Sequence, residues 1–158
     1  MPFILTSTAF QHNGTIPSRY TCDGLNVSPQ LSWSGVPDNT KSLVLIVDDP
    51  DAPDPKAPKM TWVHWVLYNI PPEVRELPEG ITAMALPSGT LQGKNDWQAL
   101  GYGGPCPPIG THRYFHKLIA LNAVLPDLSS PTKASLEAMI QSYIIGSAEL
   151  IGRYKRQN

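Results

Sequence analysis

Seventeen prolines are spread through 158 residues rather than gathered into one linker, about twice the ordinary frequency of ~5%. Each fixes φ and removes a backbone donor, so long helices and uninterrupted central strands are confined to the stretches between them. Those stretches are short, apolar and rich in β-branched residues. Ser42–Asp48, SLVLIVD, reads as a strand covered on both faces. Thr61–Ile70, TWVHWVLYNI, reads as a central strand, with Trp62, His64, Val66 and Tyr68 on one face and Val63, Trp65 and Leu67 on the other. Thr111–Leu125 reads as a long strand that places His112 and Tyr114 on one face and Arg113 on the other.

Elsewhere the signals are shorter. Phe3–Phe10 reads as a strand followed by the turn signal Asn13-Gly14, with Ile16–Thr21 as its hairpin partner. A short strand fits Gln30–Trp33. Residues 48–59 contain Pro50, Pro53, Pro55 and Pro58 and read as a loop, in which Ala52-Pro53 is a candidate cis bond. Residues 71–86 read as a connection with short extended pieces and 87–100 as mostly irregular. After Pro131, capped by Ser130 or Thr132, a helix should bury Leu136, Met139, Ile140 and Tyr143. Gly146 is a natural stop, and a last strand should turn Ala148, Leu150, Gly152 and Tyr154 inward. The pattern predicts a mostly β protein with one or two short helices, in a single domain spanning 1–158.

Composition excludes some functions. Charged residues are 16% and the net charge is −1, so no basic footprint for nucleic acid exists. Apolar runs fall far short of the ~20 residues of a membrane-spanning helix. The N-terminus, MPFILTSTAFQHNG, has no positive leader region, which gives a cytoplasmic expectation. Cys22 and Cys106 are too few for a disulfide framework and lack metal-type spacing; each sits in a loop, their pairing stays open, and if both are reduced, replacement of either by Ser should leave the fold largely intact.

Polar groups of chemical interest collect in three places: Asp48, Asp49 and Asp51 in DDPDAP, His64 in WVHW, and His112 with Tyr114 in THRY. The last follows a loop stiffened by Gly104, Pro105, Pro107 and Pro108, whose free N–H groups suit an anion. Singly these are ordinary features, since Asp-Pro makes turns and a His in an apolar strand is commonly a hydrogen-bonded core residue.

Together and in this order, DDPDAP, WVHW and GGPCPPIGTHRY strongly resemble the phosphatidylethanolamine-binding protein family, which includes the Raf kinase inhibitor proteins. TCDGLNVSPQLSWSGVP and AELIGRYKR are similar to its bacterial branch. The resemblance implies an antiparallel β-sandwich of Greek-key type with a pocket for phosphate-like anions, lined by Asp49, His64, His112, Tyr114 and the loop at Gly104, Cys106 and Pro108, with Asp51 supporting the loop. It implies a ligand that is a phosphate-containing small molecule or phospholipid headgroup, and as partners a protein kinase, a serine peptidase or a second copy of the chain. No cofactor, metal or catalytic residue is expected; the alternatives are a serine-peptidase inhibitor and a small hydrolase using the His/Asp pocket, including a Cys106–His112 pair. In the expected geometry Asp49 hydrogen-bonds His64 and favours its charged form, while His112, Tyr114 and loop N–H groups donate to the anion. Affinity should then rise as pH falls from about 8 to 6, around the reference His pKa.

Overall fold

The computed structural model describes residues 1–156. Its strands are β1 (Ile4–Thr6), β2 (Gly14–Thr15), β3 (Leu31–Ser34), β4 (Ser42–Ala52), β5 (Met60–Ile70), β6 (Glu76–Leu77), β7 (Leu91–Gln92), β8 (His112–Leu121) and β9 (Ile144–Tyr154), with helix α1 (Lys133–Ile140) before the last. They form a six-stranded sheet, β2-β9-β8-β4-β5-β7, and a three-stranded one, β1-β3-β6. All pairings are antiparallel except β2 with β9. The mostly β fold expected from the sequence is the one found.

Alternation decides where the core sits. Leu43, Leu45 and Val47 of β4 join Leu118 and Leu150 in a cluster closed by Leu5, Leu31, Trp33 and Leu77 of the smaller sheet. Val44 and Ile46 point the other way and meet Leu136 and Ile140 of α1. Thus β4 is covered on both faces, as its unbroken apolar run requires. α1 begins where Thr132 Oγ1 accepts from the Ser135 N–H at 3.2 Å. Met139 and Tyr143, expected inside, are exposed: the short helix buries only Leu136 and Ile140, and Tyr143 lies in a 3₁₀ turn over Gln141–Tyr143 that follows it and shifts the phase of the stripe.

The structure corrects other expectations. No hairpin follows Asn13-Gly14: Asn13 does adopt φ 66°, but Gly14–Thr15 pairs parallel with Gly152–Arg153 and Ser18–Tyr20 forms a 3₁₀ turn. Gly152 lacks a side chain, so Ile16 and Phe10 pack directly against it, and this long-range contact sets the course of the N-terminal segment. Gly146 does not stop a helix; it lies within β9, opposite Ala120. The proline-rich segment is not all loop, since β4 runs through Pro50 to Ala52. There Asp49 faces Trp62 and Ala52 faces Met60, three steps against two, and the resulting bulge accommodates the missing proline donor. The Ala52-Pro53 bond is cis.

A second bulge matters more. Val47 faces Trp65 while the next residue, Asp48, faces Val63, which leaves His64 as the extra residue of β5. Strict alternation therefore fails at this point. Trp65 and Leu67 belong to the inter-sheet core and Val63, Val66 and Tyr68 to the helix side, so the bulge leaves His64 with Trp62, as alternation predicts, but parts both from Val66 and Tyr68 and sets them beside Asp49.

Candidate ligand-binding site

The end of β4, the start of β5, the start of β8 and the 101–110 loop enclose a pocket of about 410 Å³. Of the residues expected there, Asp49, His64, Cys106, Pro108, His112 and Tyr114 line it. Asp51 and Gly104 do not. The Asp51 carboxylate accepts from Arg113 Nε at 2.9 Å, Nη2 at 2.8 Å and the backbone N–H at 2.9 Å. This clamp holds the Asp51 carboxyl below the usual range and ties the β4 end to β8 from outside the pocket. Gly104 donates its N–H to Asn26 Oδ1 at 2.8 Å, and a Cβ there would overlap the Tyr20 carbonyl oxygen. Gly104→Ala is expected to cost about 1–3 kcal/mol by displacing the loop, measurable by urea unfolding; an unchanged midpoint would show that the loop yields freely.

The hydrogen bonds differ from those expected. Asp49 pairs with His112, not His64: Oδ2 lies 2.6 Å from His112 Nδ1, and both groups are buried. His112 Nε2 lies 3.0 Å from the Pro53 carbonyl and 2.8 Å from that of Ile109. Nδ1 faces the carboxylate and Nε2 the two carbonyls, so both ring nitrogens of His112 are engaged and neither is left for a ligand. Burial raises the Asp49 carboxyl, opposed by its bond to His112.

His64 Nδ1 donates to the Gly103 carbonyl at 2.7 Å, and burial pushes its pKa down to about 4. It is therefore neutral near pH 7, contrary to the protonated form expected. Its Nε2 has no hydrogen-bond partner among the described residues. The Tyr114 ring lies edge-on to His64 at 5.2 Å, and its buried hydroxyl has no hydrogen-bond partner among the described residues. Burial, then the charge of Asp49, raises the Tyr114 pKa, so this hydroxyl keeps its proton and is a donor.

The loop offers less than a full anion cradle. Gly103 N–H goes to the His64 carbonyl and Gly104 N–H to Asn26, while Pro105, Pro107 and Pro108 have none. The pairing of the cysteines, open at the level of the sequence, is decided here: Cys22 and Cys106 form a disulfide across a sequence separation of 84. Two loops that look unrelated in the chain are brought together because Cys22 N–H also bonds the Pro105 carbonyl at 3.1 Å.

Trp97 is the site residue that sequence reasoning missed. Its ring lies 5.1 Å from His64 and 5.5 Å from Trp62, both edge-on, and forms a pocket wall with Met60 and Pro107. Buried Asn95 presents it: Oδ1 accepts from the Trp97 and Ala99 N–H groups, and Nδ2 donates to the Gly101 carbonyl. The signal was an Asn-Asp-Trp turn in a polar stretch, where a lone tryptophan has no local partner to cover it.

The chain matches the sequence model of the family described as phosphatidylethanolamine-binding protein over residues 6–155. It is 50% identical over 153 residues to a UPF0098 protein of Methanothermobacter thermautotrophicus, covering 96% of this chain and 98% of the relative. Among solved structures it is similar to a phosphatidylethanolamine-binding protein homologue from Chlamydia trachomatis, with 42% identity, TM-score 0.89 and 98% of each chain covered. It is also similar to E. coli YbcL, described as a member of the mammalian PEBP family, with 34% identity, TM-score 0.89, and 99% and 100% coverage.

Proposed function

The chain belongs to the phosphatidylethanolamine-binding protein family, and from that premise we propose that it is a non-catalytic binding protein whose pocket takes the phosphate-like head of a small organic molecule. The observation that carries this reading is the Tyr114 hydroxyl, buried at the pocket without a partner. An unmade hydrogen bond at a buried donor costs about 1–3 kcal/mol, which an acceptor on a ligand recovers. His64 Nε2 stands beside it, and Trp62, Trp97, Met60 and the prolines offer the organic part an apolar wall. The Cys106–His112 form of the hydrolase alternative finds no support, because Cys106 is bonded to Cys22 and both His112 nitrogens are engaged. Nothing in the pocket's geometry selects a kinase, a serine peptidase or a second copy of the chain as partner. In the cytoplasmic setting expected from the sequence, an accessible disulfide is ordinarily transient rather than permanent.

Proton linkage follows from His64. An anion at Nε2 favours the imidazolium, so binding takes up a proton and raises the His64 pKa from about 4. Affinity for inorganic phosphate or phosphoethanolamine should therefore increase as pH falls below neutrality and level off only near pH 4, a lower window than the sequence suggests. Calorimetry over the part of this range in which the fold is intact should show Tyr114→Phe weakening binding by about 1.5–3 kcal/mol, and His64→Gln removing the pH dependence beyond that of the ligand's own second ionisation, about 6 for a phosphate ester. Binding indifferent to both substitutions would reject the site.

A further inference from the structure

We propose that the Cys22–Cys106 disulfide is a thiol-exchange site, at which a small organic thiol attacks Cys106 and is held as a mixed disulfide at the edge of the ligand pocket. Three observations carry this. Cys106 is exposed, whereas Cys22 is half-buried, so the two residues differ in access. Cys106 is also the one of the pair that lines the ligand pocket. Both cysteines border a neighbouring concavity of about 330 Å³, together with Trp97, Tyr102 and Gly103, which gives a thiol a second line of approach.

The step balances without an added oxidant. The incoming thiolate forms a bond to Cys106 Sγ, the bond to Cys22 Sγ breaks, and Cys22 leaves as a thiolate that takes a proton from water. The Cys22 N–H to Pro105 carbonyl bond keeps the two loops together while the sulfurs are apart, so Cys22 remains in place to re-form the disulfide and expel the thiol. Exchange is thus reversible, and it sets whether the pocket edge at Cys106 is free or occupied. This chemistry stands independently of the phosphate-head reading, because it requires only access to the sulfur.

The test uses glutathione as the small thiol. Oxidised wild-type protein is mixed with reduced glutathione at about pH 8, near the ordinary thiol pKa. It is then quenched with acid and peptide-mapped by mass spectrometry. The expected product carries glutathione on Cys106 and a free thiol on Cys22. In Cys22→Ser, which cannot re-close, oxidised glutathione should label Cys106 at least about tenfold faster than it labels Cys22 in Cys106→Ser, in keeping with access. Labelling on Cys22, or no adduct in the wild-type protein, would overturn the proposal. The wild-type mapping decides the matter even if a variant fails to fold.

Discussion

Removing the Cys22–Cys106 bond with Cys106→Ala should lower the unfolding free energy of the oxidised protein by about 4 kcal/mol, whereas the loop positions of both cysteines had suggested almost no effect. The bond closes a loop across 84 positions, and a cross-link of that span removes conformational freedom from the unfolded chain equivalent to roughly 4–5 kcal/mol. For a chain of this length the expected fall in melting temperature is about 8–16 °C. Urea unfolding of the oxidised protein, the reduced protein and the variant measures it. Reduced wild type and variant should coincide, and a loss under about 1 kcal/mol would show that the bond does not form in solution.

Acid should destabilise the fold through two histidines buried in neutral form. His64 is one. The other is His116, fully buried, with Nδ1 donating to the Tyr114 carbonyl at 3.1 Å and its ring tilted against Phe10 at 5.3 Å. Burial lowers both to a pKa of about 4, against about 6.5 in the unfolded chain. Below pH 6.5 the unfolded state takes up protons that the folded state refuses. The stability contributed by keeping both rings neutral is therefore complete above about 6.5 and is lost as pH falls toward 4. Each site should lose roughly 3 kcal/mol over that interval, comparable in sum to the whole stability of many domains. Urea titrations from neutrality to pH 4 should show the fall, and His116→Gln should remove about half of it. A flat profile would mean that the folded protein accommodates both charges.

How far the chain could be read depended on the range of the determining contact. Ser42–Asp48 and Thr61–Ile70 were legible as strands because period-two chemistry is local, and Thr132 as a cap because it needs a partner only three residues away. The facing of His64 was legible only in part, since alternation grouped it with Trp62 but also with Val66 and Tyr68. A bulge appears only when two strands are aligned, and it is the alignment of β4 with β5 that parts His64 from Val66 and Tyr68. Trp97 was hidden for a similar reason, since its partners come from β5 and the 101–104 loop rather than from its own neighbourhood.

By itself, the sequence determined that the chain is mostly strand and that acidic, histidine and tyrosine groups cluster in three motifs, because alternation and proline placement act on neighbouring residues. Only the tertiary structure decided which of those groups pair. Asp49 lies within reach of His112 because β4 and β8 are adjacent, leaving His64 to bond Gly103, Tyr114 unpartnered and Cys106 joined to Cys22. Hydrogen bonds and disulfides depend on ångström distances between segments far apart in the chain, and those distances are fixed by the packing of the sheets and loops as a whole.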